Sequence, residues 1–383
     1  MNYPLKFYEF FCGGGMARAG LGSNWKCAFA NDIDTTKGRS YVTNWGIDSL
    51  KVEDVSKIKI EDLNEDAELA WASFPCQDLS LAGMGAGLKG DRSGTFWPFW
   101  KIIIDLKKNN RAPKIVVLEN VCGALTSHEG KDFIAICNAL KKEDYTFGAI
   151  VIDAVKFLPQ SRPRLFIIGV QTGLVDLSDV TTNSFDSNWH TDTLVEAYSS
   201  LSKSAQSAWV WWKLSLPEAR TINLKDILEP NPRTVNWHTP EETQRLIELM
   251  SPVNLKKLEL AQKKGTLEVG TIYRRTRKES DGVKRQRAEI RFDGIAGCLR
   301  TPGGGSSRQI IMIVEGENIR SRLLSSREAA RLMGLPDSYK LPKNYNDSYH
   351  LLGDGLVVPV VSFLAKAILE PILSTLGKVK KAA

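Results

Sequence analysis

The chain has 383 residues, 43% of them apolar and 25% charged, ordinary values for a globular protein and enough length for two domains. No apolar run approaches the ~18 residues of a membrane span, and the start, Met-Asn-Tyr-Pro-Leu-Lys, lacks the basic-then-apolar order of a signal peptide. Net charge is +7, and the six cysteines form no Cys-x-x-Cys pair and do not cluster with the four histidines, which argues against zinc and disulfides and for a reducing cytosolic compartment.

Residues 5–11 have the pattern of a first strand. Cys12-Gly13-Gly14-Gly15 follows, and Met16 opens a helix to 21. Strand, glycine turn and helix make the nucleotide- or nucleoside-binding corner of a doubly wound sheet. A second strand over 25–30 ends in Asn31-Asp32, where an acidic side chain commonly holds ribose hydroxyls. Arg18 stands where a dinucleotide turn wants its third glycine. A nucleoside without a pyrophosphate, such as S-adenosylmethionine, fits better. A helix is expected over 35–44, and Glu53-Asp54-Val55 closes a third strand with another carboxylate.

Leu69-Ala-Trp-Ala is a buried strand, and Phe74-Pro75-Cys76-Gln77 is the stiff turn that leaves it, because proline removes a donor and fixes φ. Cys76 then sits at the carboxyl edge of a strand, as either a nucleophile or a small buried hydrophobe. The glycine-rich stretch up to Gly94 is long for a compact domain and suits a lid. A helix is expected over 95–108, and the apolar run 114–118 is a strand covered on both faces. That strand ends in Glu119-Asn120-Val121. A carboxylate there is either bonded to backbone or is an acid of raised pKa able to donate a proton. Helix 131–142 and strand 147–153 continue the alternation. Gln160-Ser-Arg162-Pro-Arg164 leads into a strand over 165–170. Its two arginines form a surface pair or a set of fixed donors pointing one way.

After Thr172 the composition shifts. Residues 172–212 are rich in Ser, Thr and Asp, with four tryptophans and no βα alternation. A helix is expected over 240–261. Between Lys263 and Arg308 stand twelve Lys and Arg against five Asp and Glu, which accounts for the entire excess of the chain. Such a run is a solvated face or a surface for a polyanion. It contains Arg300-Thr-Pro-Gly-Gly-Gly-Ser306-Ser307-Arg308, suited to close approach to phosphates and base edges. Residues 326–334 read as a capped helix ending in glycine. Gly353-Asp354-Gly355 and an apolar helix to about 376 close the chain.

In this order the motifs resemble the DNA cytosine-5 methyltransferases, over nearly all of residues 7–370 except the middle segment. Phe11-Cys-Gly-Gly-Gly15 resembles the cofactor loop, with Met16 where a second glycine is usual. Phe74-Pro75-Cys76-Gln77 resembles the nucleophile motif, Glu119-Asn-Val the acid motif, and Gln160-x-Arg162-x-Arg164 the arginine motif. Arg327-Glu-x-x-Arg-Leu-Met-Gly334 resembles the late helix. Gly353-Asp354-Gly355 resembles the final motif, with Asp354 where asparagine is usual. The resemblance implies a Rossmann-like, doubly wound, mostly parallel α/β sheet with a smaller target-recognition domain. The expected division is 1–171 catalytic, 172–321 target recognition and 322–383 a return to the catalytic domain.

It also implies roles. Cys76 would attack carbon 6 of a flipped-out cytosine, Glu119 would protonate or hydrogen-bond ring nitrogen 3, and Arg162 and Arg164 would hold the base oxygen and the Cys76 loop. S-adenosylmethionine would lie against Phe11, Gly13, Gly14, Gly15, Met16, Asp32, Ile33, Asp54, Val55, Pro75, Phe96, Asp354 and Gly355, leaving as S-adenosylhomocysteine, with no metal. Double-stranded DNA would meet Gln77, Ser80, Arg92, Arg300, Ser306, Ser307 and Arg308. The expectation is a cytoplasmic, monomeric bacterial or phage enzyme, with or without a cognate restriction endonuclease. A tRNA-methylating relative, a catalytically silent DNA-binding homologue and a dinucleotide oxidoreductase are the alternatives. The separate middle segment favours DNA over tRNA, the intact reacting groups speak against silence, and Phe-Pro-Cys-Gln has no role in an oxidoreductase.

Overall fold

The structure, a computed structural model, describes residues 4–75, 95–279, 281–301 and 308–382, the stretch 377–382 by backbone alone. The chain forms two units: Met1–Asp153, Pro163–Pro217 and Val358–Ala383 in the first, Ala154–Arg162 and Glu218–Val357 in the second.

The first unit is built on a seven-stranded sheet. Its strands are β1 (Leu5–Phe10), β2 (Trp25–Asp32), β3 (Leu50–Val52), β4 (Leu69–Ala72), β5 (Ile115–Val121), β6 (Tyr145–Asp153) and β7 (Pro163–Gln171). Their order is β3-β2-β1-β4-β5-β7-β6, with β7 antiparallel to both neighbours and the other pairs parallel. This is the doubly wound, mostly parallel sheet the sequence implied. Winding reverses between β1 and β4, the switch point where such sheets place ligands beyond their strand ends. Helices α1 (Met16–Leu21), α2 (Thr35–Trp45), α3 (Phe96–Lys108) and α4 (Lys131–Lys142) connect the strands. All four residues of β4 and the first six of β5 are buried, which requires cover on both faces.

The serine- and tryptophan-rich segment belongs to this first unit, not to a recognition domain beginning at 172. It carries β8 (Thr181–Thr182), α5 (Asp192–Ser199), α6 (Lys203–Gln206) and β9 (Trp211–Trp212). The reason is the exposed edge that β6 would otherwise present. Phe147 N–H donates to Ala208 O, Val210 N–H to Phe147 O and Val151 N–H to Trp189 O at 2.8–2.9 Å. Gly148 permits this approach, since a Cβ there would lie 2.0 Å from Val210 O. Trp209 packs edge-on against Phe147 and Phe133.

The second unit carries α7 (Leu224–Ile227), α8 (Pro240–Glu248) and α9 (Pro252–Lys263). The single helix expected over 240–261 is broken, because Pro252 drives the preceding residue out of the helical region: Ser251 is extended at φ −71, ψ 161. A four-stranded antiparallel sheet follows, of β10 (Glu268–Lys278), β11 (Lys284–Arg291), β12 (Ile310–Glu315) and β13 (Asn318–Leu323), ordered β11-β10-β12-β13. Its buried face (Ile272, Ala288, Ile290, Met312, Val314) forms a core with Leu246, Met250 and Leu258 of the helical segment. Helices α10 (Ser326–Leu332) and α11 (Tyr345–Asp354) complete it. Ser325 caps α10 in a capping box with Glu328, which also forms a two-pronged buried pair with Arg322. The return to the first unit therefore begins at Val358 and not at 322.

Two helices make that return, α12 (Val358–Leu364) and α13 (Glu370–Ala382), joined by a π turn. Gly20 of α1 lets Val361 pack directly against the helix backbone, and Ser362 Oγ donates to Gly20 O. By composition Tyr345–Leu376 is apolar enough to cross a membrane, contrary to the expectation of no such run. Buried Val360, Val361, Leu364 and Ile368 instead make its later part core of the first unit.

Candidate active site

Strand register brings two of the expected reacting groups together. In the antiparallel β5–β7 pair, Arg164 lies opposite Val121, so its side chain shares a face with Glu119, two residues back along β5. Arg164 Nε approaches Glu119 Oε1 at 3.2 Å, and both side chains are largely buried. Next to Glu119, Asn120 closes the gap to β4. Its Nδ2 donates to Phe74 O at 3.1 Å, and its Oδ1 accepts from Val121 N–H. The chain thus enters the Phe-Pro-Cys-Gln turn tied to the residue that follows Glu119. Asn120 had been only a letter in the acid motif; its strand-end position beside a proline turn was the signal of a tether. Phe74 is buried against Phe96, which stacks on Trp100, while Pro75 is exposed. Cys76, Gln77, Ser80, Arg92 and the glycine-rich stretch lie outside the described residues, as do Ser306 and Ser307.

At Cys12, Cys27, Cys122 and Cys137 burial disfavours the thiolate. Burial pushes Cys27 up to about 11 and raises the other three, and a nucleophilic thiol must ionise.

The carboxyl ends of β1, β2 and β3 form the second part of the site. Gly13 has φ +53, with open space where its Cβ would be, so a ligand can approach the backbone there. Asp32 is buried and accepts from Gly13 N–H and Asp34 N–H, each at 2.8 Å. Two amides fix the carboxylate and leave further lone pairs for ribose hydroxyls. Beside it Ile33 is 65% exposed, an apolar side chain placed to cover a flat ring. Asp54 caps a 3-10 turn through Ser56 N–H, which holds its carboxyl below the usual range, and Val55 is buried. These groups fit a nucleoside cofactor such as S-adenosylmethionine. Met16 is buried on α1.

The turn is braced from behind. Trp45 Nε1 donates to Gly14 O at 2.9 Å, and the Arg18 guanidinium lies 5.0 Å from the Trp45 ring centroid and donates to Tyr41 Oη. Arg18, first noted for not being a glycine, is part of the support. Glu9 on β1 is buried with Oε1 near Arg18 N–H, and burial pushes its carboxyl up to about 8.

The two arginines of the Gln-x-Arg-x-Arg motif have different surroundings. Arg162 is buried in the second unit and donates to the carbonyls of Leu299, Gly353 and Gly355 at 2.7–2.8 Å. Gln160 braces the same region through Leu332 O and Leu299 N–H. Arg162 therefore holds backbone carbonyls, where the sequence left the two arginines as a surface pair or as fixed donors pointing one way. Gly353 packs on Arg300 and Thr301, leaving no room for a Cβ, and Asp354 accepts from Thr301 Oγ1. Gly355 caps α11. Arg308 bonds Asn346 and lies over the Tyr345 ring, so it too is engaged within its unit, while Arg300 is exposed.

The profile of the family described as C-5 cytosine-specific DNA methylase matches residues 5–370. The Type II methyltransferase M.HhaI of Haemophilus parahaemolyticus is 26% identical over 368 residues, spanning 94% of this chain and 93% of that protein. M.BsuFI of Bacillus subtilis is 27% identical over 375 residues, spanning 96% and 73%. Of solved structures, the S. pombe Dnmt2 methyltransferase matches at TM-score 0.58 and 18% identity over 96% of this chain and 99% of that one. The Entamoeba histolytica methyltransferase EhMeth matches at 0.56 and 16% over 97% and 99%. At such identities the structural likeness speaks for the fold.

Proposed function

We infer the reaction from one premise: the chain belongs to the C-5 cytosine-specific DNA methylase family. It is a DNA cytosine methyltransferase that uses S-adenosylmethionine. The finer reading is methylation of carbon 5 of a cytosine at a specific site in double-stranded DNA, with Cys76 as nucleophile.

The observation that carries this reading is the Glu119–Arg164 pair beside the backbone that leads into Cys76. Carbon 5 of cytosine is a poor nucleophile. Addition of the Cys76 thiolate to carbon 6 opens the 5,6 double bond toward carbon 5, and charge appears on the ring. Glu119 supplies a proton or strong hydrogen bond to ring nitrogen 3 and quenches that charge. Arg164 orients the Glu119 carboxyl and donates to the base oxygen. When bound between Gly13, Asp32 and Ile33, S-adenosylmethionine supplies the electrophilic methyl group. Loss of the carbon 5 proton to water then returns the electron pair and expels Cys76. Extruding the base from the stack costs a few kcal/mol, offset by contacts from the second unit. A companion endonuclease fits the Type II relatives.

The test is Cys76→Ala assayed for methyl transfer to DNA and for binding, with bisulfite sequencing of DNA from cells expressing the wild type. Methyl transfer should fall to background while the band shift on DNA persists. Transfer surviving in the variant would remove Cys76 from the mechanism. Label entering RNA instead of DNA would replace the substrate.

A further inference from the structure

The excess positive charge of the chain is concentrated in the β10–β11 ribbon, and the structure sorts it by face. Beyond Ile272 the pair leaves β12 behind and continues as a two-stranded ribbon to Lys278 and Lys284. The register pairs Tyr273 with Glu289, Arg275 with Arg287 and Arg277 with Arg285 on one face. It pairs Arg274 with Ala288, Thr276 with Gln286 and Lys278 with Lys284 on the other.

The first face is a ladder of ion pairs. Arg277 and Arg275 converge on Glu289, Arg287 bonds Glu279 at 2.7 Å, and Arg285 bonds Asp281 at 2.6 Å. A two-stranded ribbon outside a sheet is marginal in water, and a network of this kind is the arrangement in which surface pairs help. These arginines serve the ribbon itself. The opposite face has no acidic residue: Arg274, Thr276, Lys278, Lys284 and Gln286 are all exposed, and all offer hydrogen-bond donors.

We propose that this second face, through Thr276 and Gln286 flanked by Arg274, Lys278 and Lys284, enters the major groove of the target DNA and sets site choice. The proposal rests on the DNA reading above. A two-stranded ribbon fits the groove, glutamine can bond adenine with both amide atoms, and Thr reads either base type or the thymine methyl. The six rows from Tyr273 to Lys278 span about 17 Å at about 3.4 Å per residue, which matches roughly five base pairs. Lys278 and Lys284 near the tip meet phosphates and release counterions.

The experiment uses the full chain on a randomised duplex library, read by bisulfite sequencing, with binding measured across a salt series and melting followed for each variant. Gln286→Ala should lose about tenfold discrimination at one base position while still methylating. Lys278→Ala and Lys284→Ala should each flatten the slope of log affinity against log salt by about one while keeping the site. Arg277→Gln should lower the melting temperature and leave site and slope as they were. Unchanged site choice in Gln286→Ala with unchanged slopes in both lysine variants overturns the proposal, as does a relaxed site in Arg277→Gln. A wild type that methylates no DNA refutes the underlying reading, a separate result from a specific enzyme indifferent to these substitutions.

Discussion

The carboxyl edge of the seven-stranded sheet and the outer half of the β10–β11 ribbon both gather charged side chains, under opposite rules. At the sheet edge the charges are few and largely buried. Glu119 and Arg164 face each other across two strands, and Asp32 is fixed by two backbone amides. In the ribbon they are many, exposed and sorted by strand alternation. A buried group acts through one partner in a low dielectric, so removing it gives a large effect indifferent to salt. An exposed row acts as a sum over a polyanion, so each member contributes little and salt screens all of them. On the proposed reading the edge serves chemistry and the ribbon recognition.

The sharpest way to break that contrast is Glu119→Gln. The amide keeps the shape and cannot give up a proton. The turnover number should fall by about 10²–10⁴, with DNA affinity and its salt slope as in the wild type. Single-turnover methylation alongside a salt titration checks both. A loss that tracked salt, or a rate near normal, would move Glu119 from the chemistry to the binding side.

The two regions were also unequally legible in the sequence. Strand, glycine turn and helix over 5–21, the helix over 131–142 and the strand ending in Glu119 could be read because βα alternation and a buried apolar run have local signatures. The pairing of Glu119 with Arg164 could not: it depends on β7 running antiparallel beside β5, and nothing in the residues of β7 states its direction. Trp189 and Trp209 were assigned to the wrong unit because what they cover, the edge of β6, is set by sheet order and not by their own spacing. Arg162 was visible as an arginine in a motif, but its carbonyl partners come from residues 137 or more positions away. In the basic segment, counting charges could not tell the acid-paired face from the face without acidic residues; that follows only from the register of the two strands.

Glu9→Gln asks whether the buried edge also carries a penalty that the ribbon lacks. The Glu9 carboxyl is pushed by burial from an ordinary 4.5 to about 8. Between those values the unfolded chain has released this proton and the folded chain keeps it, so stability falls as pH rises, by about 1.4 kcal/mol per unit from this group. Below 4.5 both states hold the proton and the contribution is flat; above 8 both have lost it and the full penalty remains. Glu9→Gln should therefore match the wild type near pH 4 and exceed it increasingly up to pH 8, in denaturant melts at each pH. Parallel curves for the two proteins would show that Glu9 ionises as easily in the fold as out of it.

The smallest effect should come from Trp45→Phe. The indole N–H holds Gly14 O at 2.9 Å, and the ring lies under the Arg18 guanidinium. Phenylalanine keeps an aromatic face for Arg18 and removes only the donor. One partly buried hydrogen bond contributes about 1 kcal/mol, or roughly fivefold in affinity. On the proposed reading Gly14 lies in the turn that meets the cofactor and not the base, so this factor belongs in the KM for S-adenosylmethionine, with kcat and the DNA salt slope retained. Calorimetric titration with S-adenosylhomocysteine reads the same change without turnover. Trp45→Ala, which also removes the surface under Arg18, should weaken cofactor binding further. If Trp45→Ala bound it as tightly as Trp45→Phe, the stack of Arg18 on Trp45 would contribute nothing to the turn, and of the two Trp45 contacts only the indole hydrogen bond would support it.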